Sequence, residues 1–162
     1  MIIFSTYFCL ISQSVVAAET GDIAQGCDAV QQKTKMKGME AYRGKVVYLD
    51  FWATWCPPCR KSMPALNKLR NELVSSGFEV VAINLDEKQE DAEQYLKKYP
   101  VDYPVIFDST ASCPKVYELK GMPTSYLIDQ QGVIQDVHIG YRHGDIKKIR
   151  NKVQALLEGG HD

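Results

Sequence analysis

The sequence predicts a single α/β domain: a central mixed β-sheet flanked by helices. Three observations predict it. Runs rich in β-branched and aromatic residues, "KVVYLDFW" and "FEVVAINLD", alternate with stretches of helical apolar spacing. The alternation continues through a third strand and helix, which is the pattern of a sheet covered on both faces. Near the C-terminus two more apolar runs are separated only by "QQG", so they read as a hairpin and bring antiparallel strands into the sheet. At 162 residues the chain has room for one domain with a substantial core.

The elements follow in order. "MIIFSTYFCLISQSVVAAET" carries no charge before Glu19. Its apolar run, Ile2 to about Ile11, gives way to small residues, with Val16 and Ala18 at the −3 and −1 places of a cleavage site. The expectation is a secretory signal peptide over residues 1–18, although no Lys or Arg precedes the run; the alternative is an N-terminal membrane anchor. The run is short against the roughly 20 apolar residues of a membrane span. An N-terminal segment (19–43), a domain (44–158) and a tail (159–162) complete the division. The N-terminal segment is polar and irregular, with a short helix ending near Gly38.

"KVVYLDFW", Lys45 to Trp52, is apolar almost without break, as a strand buried on both faces should be. Residues 59–76 place Met63, Leu66, Leu69, Leu73 and Val74 on one helical stripe. Gly77 ends this helix, and Pro64 inside it predicts a kink. The strand Phe78 to Asp86 follows. "QEDAEQYLKKY" repeats the helical pattern, with acids early and lysines late as the helix dipole favours. "YPVIFD" reads as a short strand and "CPKVYELKG" as a short helix closed by Gly121. After the hairpin, Asp145 caps a last helix with Ile146, Ile149, Val153, Leu156 and Leu157 on one face.

Composition excludes some functions. With 19 basic and 20 acidic residues and no basic block, the chain has no sign of a nucleic-acid groove or an anionic-membrane patch. No amphipathic stripe is left over for a partner subunit, so a monomer is expected.

The chemistry concentrates in "FWATWCPPCRKSMP", residues 51–64. Cys56 and Cys59 belong to a set of five cysteines with Cys9, Cys27 and Cys113. Removal of the leader takes Cys9 and leaves four in an oxidising compartment, where three pairings are open. A structural zinc site needs four ligands. His138 and His143 have a permitted spacing, but one falls in a predicted strand and the other past its end. A strand ending at the first cysteine of the pair instead sets Cys56 on a helix N-terminus, where free N–H groups and the dipole stabilise a thiolate. Cys56 is then the exposed nucleophile and Cys59, one turn on, the buried resolving thiol. Pro57 suits the first helical position, and Pro58 removes a donor that could have stabilised the Cys56 thiolate.

"VVYLDFWATWCPPCRKSMP" resembles the active-site segment of the thioredoxin fold, in particular that of exported TlpA/ResA-like thiol–disulfide oxidoreductases. "KGMPTSYLID" is similar to that family's cis-proline loop, and "DEKQEDAEQYLKKYPVDYPVIFD" to its helix–strand insertion. The resemblance covers roughly Gly44 to Leu157 and matches residues 19–43 poorly. It implies a thioredoxin fold with Pro123 as a cis-proline facing the cysteines. It implies that Met122, beside Pro123, presents its backbone to a client strand. Trp55, with Pro57, either lines the substrate groove, which we favour, or simply packs. It implies that Asp50 is a buried proton acceptor for Cys59, with Ala82 where thioredoxin places a lysine; the alternative is a solvent-facing Asp50 at a strand edge. It implies disulfide-bearing client proteins such as apocytochrome c, a membrane electron donor of the DsbD/CcdA kind, and no cofactor. Cys27 and Cys113 either form a structural disulfide, which we favour, or remain separate thiols. Two other functions are weighed against disulfide reduction: a disulfide-forming oxidase or isomerase, and a copper-handling adaptor with the cysteines as Cu(I) ligands.

Overall fold

The computed structural model describes residues 18–34 and 38–159. The expected leader, apart from Ala18, lies outside the described residues, as do Met36 and most of the expected tail. In chain order the elements are α1 (Asp28–Thr34), a short 3-10 segment (Gly38–Tyr42), β1 (Val46–Trp52), α2 (Pro57–Leu73), β2 (Phe78–Asn84), α3 (Gln89–Lys98), β3 (Val105–Phe107), α4 (Ser112–Tyr117), β4 (Thr124–Ile128), β5 (Ile134–Ile139) and α5 (Asp145–Gly159).

The strands form one five-stranded sheet in the order β3-β2-β1-β4-β5. β1 pairs parallel with β2, and β2 with β3; β4 is antiparallel to both β1 and β5. β1 is therefore central, and all seven of its residues are buried. Strand alternation sorts the core into two layers. Val46, Tyr48 and Trp52 face one way, with Phe78, Val80 and Ala82 of β2, onto Met63, Leu66 and Leu69 of α2 and Ile149 and Val153 of α5. Val47, Leu49 and Phe51 face the other way, with Val81 and Ile83, onto Ala29 and Val30 of α1 and Cys113 and Tyr117 of α4. Two helical layers thus enclose the sheet, and the two core clusters lie on its opposite faces.

The N-terminal segment is more ordered than its polar sequence suggests. Gly21 N–H donates to Ile134 O at 2.8 Å, Ile134 N–H returns to Asp22 O at 2.8 Å, and Ile23 bridges Val133 antiparallel. Ala24, Cys27, Ala29, Val30 and Met39 are buried in the second cluster. A Cys27–Cys113 disulfide joins this segment to α4. The hairpin turn rests on Gly132, whose φ of +80° favours glycine and whose missing side chain leaves room for the Arg43 guanidinium.

Three element ends differ from the sequence expectation. α4 stops at Tyr117 because Glu118 takes the left-handed cap position (φ 46°) and donates its N–H to Pro114 O. Gly121 serves instead as acceptor for the Thr124 hydroxyl at 2.8 Å, at the entry to β4. Asp145 begins α5, but its carboxylate reaches backwards to the Arg142 N–H at 2.7 Å, bracing the preceding loop. α5 itself runs through Gly159, past the expected domain end. α2 continues through Pro64 without interruption, with that residue on its exposed side.

Candidate active site

β1 delivers the chain to the site, and α2 receives it. Trp52 O accepts from Leu85 N–H at 2.9 Å, holding the C-terminal end of β1 against the segment after β2. The following turn is clamped by Asp86. Its carboxylate accepts from Thr54 N–H (3.1 Å to Oδ2) and from Thr54 Oγ1 (2.8 Å), while Asn84 Nδ2 donates to it at 2.7 Å. The carboxylate is buried and its oxygens are occupied, so the turn has a fixed path into Cys56.

Cys56 is the N-cap of α2, with extended backbone (φ −98°, ψ 101°). Pro57 and Pro58 have no N–H, so the first free amide of the helix belongs to Cys59. It donates to Cys56 Sγ at 3.3 Å. The two cysteines form a disulfide. Cys59 is 0% exposed and Cys56 only 3%, so in this disulfide form Cys56 is less open than the sequence suggested. The N-cap hydrogen bond and the bond to Cys59 turn its sulfur toward the helix. Trp55, directly before it, is 63% exposed, and Pro57 is exposed as well.

The Met122–Pro123 peptide is cis. Pro123 is buried, and its carbonyl accepts from Gly140 N–H at 2.7 Å, which ties the loop before β4 to the one after β5. Met122 is half-buried and packs against the cluster that holds both cysteines.

Asp50 lies inside the sheet, not at its edge. It pairs with Ala82 of β2 on one side and Ser125 of β4 on the other. Strand alternation puts it between Tyr48 and Trp52 on the face covered by α2, the helix that carries Cys59. Ser125 Oγ donates to Asp50 Oδ1 at 2.6 Å, and Oδ2 has no protein partner. Burial raises the carboxyl pKa to about 7, and the Ser125 hydrogen bond opposes the rise. Ala82 beside it offers only a methyl group.

Tyr103 and Asp86 are the site residues the sequence did not reveal. Tyr103 is buried with an unpartnered hydroxyl, and its pKa is raised first by burial and then by the Asp50 charge. Its segment is pinned on two sides. Asn67 and Asn71 of α2 donate to Asp102 at 3.1 and 2.6 Å, and Pro104 O accepts from Ala82 N–H at 3.0 Å. Neither residue belongs to a recognisable motif: Asp86 reaches Thr54 across 32 positions of sequence, and Tyr103 comes near Asp50 only through the fold. Of the histidines, His138 lies on β5 with Nε2 3.3 Å from Asp145, and His143 lies in the loop beyond. Among the described residues no three of His, Cys, Asp and Glu gather as a metal site would require.

A disulfide at a helix N-terminus, following a central strand and beside a cis-proline loop, defines a thioredoxin-like protein. The comparisons agree. The Redoxin family model matches residues 19–155, and the chain belongs to that family. The match includes the N-terminal segment, which the sequence resemblance had left out. The thiol–disulfide oxidoreductase ResA of Bacillus thuringiensis subsp. konkukian (strain 97-27) is 38% identical over 100 residues, 61% of this chain and 58% of that protein. ResA of Bacillus subtilis (strain 168) is 33% identical over 132 residues, 78% of this chain and 74% of its own length. A structure from Chlorobium tepidum, assigned as thiol:disulfide interchange protein DsbE, superimposes with a TM-score of 0.76 at 37% identity, covering 87% of this chain and 99% of that one. The fold is thus thioredoxin-like, and the chain is TlpA/ResA-like within it.

Proposed function

We propose that this protein is a thiol–disulfide oxidoreductase that works outside the cytoplasm and reduces disulfides in client proteins. The observation that carries the proposal is the Cys56–Cys59 disulfide at the N-terminus of α2, with the Cys59 N–H on Cys56 Sγ. In the reduced protein that N–H and the helix dipole favour the Cys56 thiolate. The thiolate attacks one sulfur of a client disulfide and forms a mixed disulfide, and the other client sulfur leaves and takes up a proton. Cys59 gives its proton to Asp50 and attacks Cys56 Sγ. The Cys56–Cys59 bond forms, and the client's second thiol is released. Two electrons pass to the client, and no cofactor takes part.

Trp55 and Pro57, exposed beside the pair, receive the client, with the backbone of Met122 pairing to its strand next to the cis-Pro123 ring, as the family resemblance implies. A membrane donor of the DsbD/CcdA kind returns the electrons. Apocytochrome c is the client class that the TlpA/ResA-like resemblance implies. A leader over residues 1–18 would bring the chain to that compartment. Among the described residues no helix is long and apolar enough to cross a membrane.

The test is the reduction potential of the Cys56–Cys59 pair, measured in thiol–disulfide buffers. A value toward thioredoxin's, about −270 mV, is expected; one toward that of a strong oxidant, about −120 mV, overturns the reductive direction in favour of disulfide formation.

A further inference from the structure

The chain is nearly neutral, yet the fold gathers cations beside the disulfide. Lys61 follows Cys59 by two residues and lies on the exposed side of α2, one turn beyond Pro57 and Pro58. The loop after β5 brings Tyr141, Arg142, His143 and Gly144 to the same place. With Lys61 and Ile146 they line a groove of about 830 Å³. The Gly140 N–H to Pro123 O bond fastens this loop to the cis-proline turn, and Tyr141 and Ile146 pack on the cluster that contains Cys56 and Cys59. The groove therefore opens beside the place where a client disulfide must sit.

Its charge is uncompensated. Among the described residues no carboxylate forms an ion pair with the side chain of Lys61, Arg142 or His143. The loop's own carboxylate, Asp145, is 6% exposed and is held by the Arg142 N–H, His138 and Lys148. Exposed cations around a reaction centre raise the encounter rate of anionic partners and favour them over neutral ones.

We propose that this groove docks polypeptide segments carrying carboxylates next to their disulfide, so that the protein selects acidic clients. The proposal rests on the oxidoreductase reading and names the client chemistry for the same site. Tyr141 and Ile146 supply an apolar floor for the segment's backbone and side-chain stems, and Lys61, Arg142 and His143 supply donors for its carboxylates.

The experiment follows oxidation of the reduced full chain by tryptophan fluorescence in a stopped-flow instrument. The oxidants are synthetic disulfide peptides flanked by glutamates, glutamines or lysines. At low ionic strength the glutamate peptide is expected to react about tenfold faster than the glutamine one, with the preference collapsing toward 1 M salt. The double variant Lys61→Gln/Arg142→Gln should bring the two rates together, and Lys61→Glu/Arg142→Glu should turn the preference to the lysine peptide. Equal rates in the wild-type chain, or a preference that survives both double variants, overturn the acidic docking surface and leave the oxidoreductase reading standing. Failure of every peptide to oxidise the Cys56–Cys59 pair overturns both. Equal peptide rates together with Lys61- and Arg142-dependent binding to phosphatidylglycerol vesicles would assign the surface to lipid and overturn the client proposal.

Discussion

Asp50 keeps a proton that an exposed aspartate would have lost. Its side chain is enclosed, one oxygen has only Ser125 as partner, and no cation lies on the neighbouring strand, where Ala82 occupies the paired position. Its pKa, raised from 3.8 to about 7, makes stability depend on pH in a definite direction. Between those two values the unfolded chain has released the proton and the folded chain retains it, so stability falls as pH rises from about 4 to about 7 and is level above. The full shift corresponds to on the order of 4 kcal/mol. Asp50→Asn is therefore expected to be more stable than wild type at pH 8, with little difference at pH 4; urea unfolding at both pH values measures it. The same variant should remove the inflection near pH 7 from the rate at which Cys59 resolves a mixed disulfide. An inflection that persists would place the titrating group elsewhere. Sequence suggested Asp50 as a proton acceptor through likeness to a known segment. The strength of the effect was not legible, because it depends on burial and on Ser125, 75 residues away.

At the scale of elements, the strands and longer helices were readable because each carries its own period. β1 and β2 are mostly apolar runs, broken by Asp50 and by Glu79 and Asn84, and α2 and α5 show single apolar faces. Their ends were less readable. Glu118 takes a left-handed cap that its residue type does not advertise, and Asp145 bonds backwards rather than forwards. The junction of β1 and α2 shows why local pattern falls short. The redox turn owes its path to Asp86, which lies beyond the end of β2 and is brought near by the parallel pairing of the two strands. Asp86→Ala would leave the Thr54 N–H and the Asn84 amide without their acceptor and should cost about 2–3 kcal/mol. Because that loss falls on the turn entering Cys56, the variant's Cys56–Cys59 potential should also move. An unfolding midpoint and a potential both equal to wild type would show that the clamp does not position the turn.

Over the whole molecule, the N-terminal segment proves to be part of the domain. It adds backbone hydrogen bonds at the start of β5, buries Cys27, Ala29 and Val30, and is fastened to α4 by the Cys27–Cys113 disulfide. Nothing in its polar composition announced this, since its partners lie far along the chain. The basic groove was hidden for the same reason: Lys61 and Arg142 make no run in sequence and meet only when α2 and the loop after β5 converge. Closing a loop whose ends lie 86 positions apart restrains the unfolded chain by about 4–5 kcal/mol in the chain-entropy treatment. Cys27→Ser/Cys113→Ser is accordingly expected to lower the urea midpoint markedly while keeping the Cys56–Cys59 couple active. An unchanged midpoint would mean that backbone pairing alone holds the segment.

The two disulfides also lie on opposite faces of the sheet, one in each core cluster. If the protein breaks and remakes sulfur bonds as proposed, it risks wearing out its own scaffold, since every turnover would expose a nucleophile that accepts any disulfide within reach. Here five hydrogen-bonded strands stand between that nucleophile and the one other bridge among the described residues. Repeated cycling at Cys56 therefore leaves the brace intact for as long as the chain stays folded, and self-scrambling becomes a symptom of unfolding rather than a by-product of use.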